Sequence, residues 1–431
     1  MAGPRIAISG ARLIDPANGV DRQQSLYIAN GIVAAVGKAP DGFHADREIR
    51  VPGQIVCPGL IDLCARIREP GQEHKATIAS ETTAAVAGGF TTLCCPPDTQ
   101  PVIDTPAVAE MIRDRAERIG KARILPVGAL TRSLRGEQLS EMRALKKAGC
   151  VAASNAQVPV ANTLVLRRSM EYAASFDMLV MVRPEDPWLR NHGVIHEGFV
   201  ATRLGLPGIP EAAETVVVAQ VLALVRQTGA RIHFAQLSCA GAVEMVARAR
   251  ALGLPVSADV SAHQLCLTEA VLEDYDSLYH VIPPLRTEQD RAALCQGVAD
   301  GTLSAICSDH QPHEEGAKLD AFSLTEPGIS SLETVLPLTL GLISSGQLDL
   351  VRAIDSLTHG PAKVLGLTAG QIKPGAVADI CIFDPEAVWH VNSRNWCSRG
   401  LNSPFFGTDM KGRVSYTLVA GRIVHERSNQ S

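Results

Sequence analysis

The sequence predicts an α/β fold: a (β/α)8 TIM-type barrel with a small β-sandwich domain built from both chain ends. Three observations lead to it. The chain is long enough, at 431 residues, for one large domain and a smaller one. Strand-like segments with turn residues between them occupy both ends. Between the ends, eight apolar runs are each followed by a stretch of helical period.

Within residues 1–58, IAISGARLID, SLYIANGIVAAVG and IRVPGQIVCPG cluster or alternate β-branched residues between Gly, Asn, Asp and Pro breakers. Within residues 368–431, ADICIFDP and GRVSYTLVAGRIVHE read the same way, so the two ends are expected to pair into one composite domain. Residues 59–367 are then the barrel. Its strand candidates are GLIDLCAR (59–66), FTTLCCPP (90–97), RILPVGAL (123–130), GCVAAS (149–154), MLVMVRP (178–184), RIHFAQLS (231–238), PVSADVS (255–261) and LSAICSDH (303–310). Segments such as TPAVAEMIRDRAERIG and AGAVEMVARARALG supply the helices between them.

Composition narrows the function. With 46% apolar and 20% charged residues the chain can bury a sizeable core and lies far from the signature of disorder. A net charge of -5 and no Lys/Arg-rich run argue against nucleic acid as a partner. The 11 cysteines include one adjacent pair, Cys94 and Cys95, and no C-x-x-C, as expected of reduced, mostly buried thiols in a cytoplasmic protein. MAGPRIAISGARLIDP has no basic stretch leading into an apolar one, and no apolar run reaches the ~18 residues needed to span a bilayer, so neither secretion nor a membrane is expected.

In a barrel of this kind the chemistry sits where the strands end, because those ends converge on one pocket. They carry Cys64 and Arg66, Asp98, Asn155, Arg183, Gln236, His263, and Asp309 with His310. A catalytic zinc takes about three His or carboxylate ligands plus a water, and this set holds too few.

The segments CPGLIDLCARIREPGQEHKATIASETTAAVAGGFTTLCCPPDTQPVID (57–104), KKAGCVAASNAQVPV (146–160), EAAETVVVAQ (211–220), PPLRTEQDR (283–291), CSDHQPHE (307–314), EPGISSLETVLP (326–337) and ADICIFDP (378–385) follow one another in barrel order. In that order the chain resembles the dihydroorotase family of the amidohydrolase, or metallo-dependent hydrolase, superfamily along essentially its whole length. The resemblance implies a metal pocket whose ligands are nearly all replaced. The H-x-H pair of working members aligns with Cys64 and Arg66, the bridging carboxylate or lysine with Asn155 or Ala156, and the histidines after strands five and six with Arg183 and Gln236. Asp309 alone is kept. Arg68 matches a residue that grips the substrate carboxylate, while Asp98 and Ile282 stand where the family has asparagine, and Asp98 would repel an anionic substrate.

Arginine cannot deprotonate in proteins, so Arg66 and Arg183 bring fixed positive charge to a cavity built for a dication. Arg66 or Arg183, or both, are expected to pair with Asp309 in place of metal. His310 and His313 are assigned to the loop scaffold, His263 to the pocket wall, and His192 and His196, at i, i+4 spacing, to surface or packing positions. Nearby Arg side chains are expected to lower the pKa of Cys64, as a nucleophile needs, but no positioned base is evident beside it and packing is the expected role. The glycines form no G-x-G-x-x-G or Walker pattern and imply no nucleotide site.

The resemblance is closest to an inactive dihydroorotase-like group that assembles with the aspartate carbamoyltransferase catalytic chain. It implies a pseudoenzyme without zinc or other cofactor, acting as a structural subunit in pyrimidine biosynthesis, itself a homodimer within a larger hetero-oligomer. Two alternatives stand beside it. One is an active cyclic amide hydrolase using one metal or none, on Asp309, His310, His313 and Arg68. The other is a small-anion sensor on Arg66, Arg68 and Arg183.

Overall fold

The computed structural model describes residues 3–427. Eight parallel strands form the central sheet, β1 (Leu60–Asp62), β2 (Phe90–Cys95), β3 (Arg123–Ala129), β4 (Ala152–Ser154), β5 (Leu179–Val182), β6 (Ile232–Phe234), β7 (Val256–Ser261) and β8 (Ala305–Cys307), each paired with the next in chain order. A parallel bridge between Ala65 and His310 joins the first strand to the last and closes the barrel. Each of the eight apolar runs contains one strand. β4 and β7 reach the ends of their runs, and the others stop short, as at the mouth, where the backbone turns with Gln236 and Asp309 in the left-handed conformation (φ 59 and 44).

The interior carries small and medium side chains in layers, among them Ile61, Cys94, Val127, Ala152, Leu179 and Cys307. A polar line runs through this packing. His233 Nδ1 lies 2.8 Å from Ser257 Oγ and its Nε2 lies 2.9 Å from Asp259 Oδ2, while the backbone N–H of Gln236 donates to Asp259 Oδ1 at 2.6 Å. His233, Ser257 and Asp259 thus satisfy one another, as burial requires.

The two chain ends build two sheets. One runs Ile32–Val36, Leu26–Ala29, Ile6–Ser9, Arg47–Arg50, and the other Arg422–Glu426, Asp409–Val419, Ile380–His390, Ile55–Pro58, Arg12–Asp15, Val20–Gln23. Alternate residues of both, including Ile6, Ile8, Leu13, Ile28, Val56 and Ile380, bury their side chains in one shared cluster. The sandwich therefore depends on residues from both ends of the chain.

The helix Ile78–Ala87 shows how local sequence positions the site. Thr77 and Ser80 cap its start reciprocally, and Gly88 follows its end, where a Cβ would meet the carbonyl oxygen of Leu332 at 2.3 Å. That close approach seats the helix against the loop after β8 and brings Glu81 to His310. Among the described residues, no helix is long and apolar enough to cross a membrane.

Candidate functional site

The mouth of the barrel is a charge network centred on Asp309. The chain past β1 stays extended, so Cys64 and Arg66, two residues apart, point to the same side. Arg66 Nε donates to Asp98 Oδ2 at 2.8 Å and Nη1 to Asp309 Oδ1 at 3.1 Å. Gln236 Nε2 donates to the same Asp309 oxygen at 2.6 Å and Gln311 Nε2 at 3.1 Å. Cys64 Sγ sits between them, 3.1 Å from Gln236 Nε2 and 3.8 Å from Asp309 Oδ1.

Arg66 thus takes up the expected pairing and Arg183 does not. Arg183 lies back along the wall in a two-pronged bond to Glu185 (3.1 and 3.0 Å), which Arg190 also reaches at 3.0 Å. Its Nη2 also donates to the Gln157 carbonyl. A carboxylate two residues downstream is the nearer partner for Arg183. Asp98 also differs from its expected role. Its charge is taken up by Arg66 instead of being turned on a ligand.

Electrostatics follow from burial. Burial pushes the Asp309 carboxyl up to about 6, against Arg66, Arg183 and the Gln311 hydrogen bond, which lower it. Burial opposes the charge on Arg66, but Asp98 and Asp309 hold the guanidinium above its ordinary value. For Cys64, burial outweighs the effect of Arg66 and raises the thiol well above the ordinary range. A thiol held protonated is a poor nucleophile.

The remaining site residues hydrogen-bond within the chain. Asn155 Oδ1 accepts from Thr131 Oγ1 (2.8 Å), and its Nδ2 donates to the carbonyls of Leu134 and Val158. Arg68, with φ 59, turns its guanidinium to the rim, donating to the Pro312 carbonyl at 3.0 Å and to Gln72, with His313 Nε2 3.1 Å away. His313 faces Lys75 on its other nitrogen, and burial followed by Arg68 and Lys75 pushes it down to about 2. His310 Nε2 lies 2.6 Å from Glu81, and its Nδ1 accepts from the backbone of Ser331. His263 lies 3.1 Å from Ser261 Oγ, and burial pushes it down to about 4. His192 and His196 share no helix face. His196 is on the short strand Ile195–His196, 3.0 Å from Arg286 Nη1.

The fold implies a metal, but this donor set does not fit one. Among the described residues, Cys64 and Asp309 are the two anionic-type donors that meet at positions the family resemblance assigns to metal ligands, and Arg66 reaches both. Among the described residues, no group of three His, Cys, Asp or Glu side chains could hold a metal ion. The space bounded by Cys64, Arg66 and Gln236 is about 30 Å³ and that between Asn155, Arg183 and Trp188 about 80 Å³, where small-molecule pockets run to roughly 300–1,000 Å³. Arg66 and Arg183 each have carboxylate partners, while Arg68 is held by the Pro312 carbonyl and Gln72.

Sequence reasoning missed four partners: Asp98 for Arg66, Glu185 for Arg183, Gln311 for Asp309 and Glu81 for His310. Only Glu185, beside Arg183 in MVRPED, carried a local signal.

Comparison with known proteins places this geometry. Residues 53–241 match a model described as Dihydro-orotase-like, and residues 341–425 one described as Amidohydrolase family. A "Dihydroorotase-like protein" of Pseudomonas aeruginosa is 50% identical over 421 residues, 98% of this chain and 99% of that protein. A "Dihydroorotase" of Anaeromyxobacter sp. (strain K) is 44% identical, covering 97% of each. Among solved structures, the L-hydantoinase (dihydropyrimidinase) of Arthrobacter aurescens shares the fold, with TM-score 0.87 at 22% identity over 98% of this chain and 96% of that one.

Proposed function

Since this chain belongs to the dihydroorotase-like family, we propose that it is a catalytically inactive member, serving as a structural subunit of the aspartate carbamoyltransferase complex in de novo pyrimidine (UMP) biosynthesis. The observation that carries the reading is Arg66. Its guanidinium stands at a position that the family resemblance assigns to a metal ligand, and it is held between Asp98 and Asp309. A cation fixed there repels a dication and occupies the carboxylate that would bind it.

The partner comes from the resemblance to inactive dihydroorotase-like chains that assemble with the carbamoyltransferase catalytic chain. On this reading the protein is cytoplasmic and forms a homodimer within the larger assembly. Expressing both chains together and weighing the complexes in solution tests it. The two chains should co-elute as one large species. A carbamoyltransferase that is fully assembled and active without this chain would overturn the proposal.

The relatives named dihydroorotase favour a second reading, an active cyclic amide hydrolase. Elemental analysis of protein purified without chelator, combined with dihydroorotate hydrolysis and condensation assays, separates the two. Stoichiometric zinc with turnover that vanishes in Asp309→Ala would establish the second.

A further inference from the structure

A spacious cavity lies at the opposite end of the barrel, beneath the starts of β5 to β8. It amounts to about 320 Å³, against about 30 Å³ beside Cys64, Arg66 and Gln236. Its charged lining is Arg231, Arg250, Arg352 and Lys363 with His359, against the single carboxylate of Asp355. In a chain whose net charge is -5 this is a local concentration of positive charge.

Three of the cations are held in place. Arg250 Nη1 donates to the carbonyls of Gly301 and Thr302, and Arg352 donates to those of Val298 and Leu303 while pairing with Asp355. Arg231 donates to the Val364 carbonyl and reaches Asp177 at 3.2 Å. Lys363 and His359 lie one turn apart on the helix His359–Leu365, and among the described residues neither side chain has a hydrogen-bond partner. Gly360 seats that helix on the barrel floor, since a Cβ there would meet the Ser304 carbonyl oxygen at 2.0 Å. Leu179, Ile232, Leu254 and Val364 supply apolar wall.

We propose that this floor cavity binds a small phosphorylated metabolite, its phosphate among Lys363, His359 and the clamped arginines and its body against the apolar wall. A phosphate carries about -1.5 to -2 and three acceptor oxygens, which suits several converging donors better than one carboxylate does. The volume falls within the small-molecule range of roughly 300–1,000 Å³. The site is independent of the proposal for the mouth.

Calorimetric titration of the full chain with inorganic phosphate and with phenyl phosphate, at matched ionic strength, tests it. Both probes should bind, phenyl phosphate the more tightly because of the apolar wall. Lys363→Glu and Arg250→Glu should each weaken binding about tenfold or more. Lys363 is exposed, so its variant should melt like the parent without probe, which keeps the test valid if Arg250→Glu loosens the 301–302 turn. Absence of heat at about 1 mM probe, or equal affinity in parent and Lys363→Glu, would overturn the proposal.

Discussion

Arg66 Nη1 lies 3.1 Å from Asp309 Oδ1, joining residues 243 apart in the chain, both almost entirely withdrawn from solvent. Removing the cation alone leaves Asp309 buried with no ionic partner and Asp98 without its own. Arg66→Met should cost about 3–5 kcal/mol of stability, read from the urea-unfolding midpoint. Adding Asp309→Asn to that variant should recover a large part of the loss. A cost below about 1 kcal/mol would place the pair among inert surface contacts.

Arg183→Met should be milder, about 1–2 kcal/mol. Arg190 still reaches Glu185 at 3.0 Å after the change, so the carboxylate keeps one cation. The same unfolding measurement ranks the two variants, and an equal or larger loss for Arg183→Met contradicts the network described above.

Asp309 also gives the fold a pH signature. Burial raises its folded pKa to about 6 from 3.8. Between those values the folded state holds a proton that the unfolded chain has released, so this contribution is full below pH 3.8 and is lost as pH rises through about 6. Melting-temperature profiles should show that decline, and Asp309→Asn should lack it. An identical profile in the variant would assign the decline to other groups.

Zinc content tests the proposal that the pocket excludes metal. The parent chain should purify with far less than one zinc per molecule. Converting the four replaced positions together, Cys64→His, Arg66→His, Arg183→His and Gln236→His, should raise zinc to about one per chain. If the fourfold variant folds and stays metal-free, the loss of those ligands is not what excludes the ion.

His310 looks like part of a metal cluster in sequence, yet it ties the loop after β8 to the helix Ile78–Ala87 through Glu81. His310→Phe should cost about 2–3 kcal/mol by leaving that carboxylate short of a donor. Glu81 keeps Ser398 Oγ at 2.7 Å and Ser80 Oγ at 2.7 Å, so the barrel should still fold. Circular dichroism through a melt measures both outcomes.

The barrel was legible because its strands are apolar on both faces and its helices repeat with a different period, a contrast that survives in any window of the chain. Cys64 and Arg66 could be placed together because side chains two apart in an extended segment share a side. The pairing of Arg66 with Asp98 was not legible, since several carboxylates border the mouth and sequence gives no distances among them. Arg183 shows the reverse error, in which a distant partner was weighed above the near Glu185. The floor cavity was invisible for a stronger reason. Its cations come from the start of β6 (Arg231), the helix Ala240–Ala251 (Arg250), the helix Leu350–Leu357 (Arg352) and the helix His359–Leu365 (His359 and Lys363), and nothing in the sequence shows that these elements meet.

The cation at the heart of the mouth is part of the polypeptide. Its occupancy is therefore complete as soon as the ribosome finishes the chain, without delivery from any pool. Chelators, metal starvation and competition among divalent ions, which set the maturation of a metal-dependent barrel, have no hold on Arg66. On the proposed structural role, a subunit needed in fixed proportion to its partners gains from such a core. Its supply then tracks translation alone.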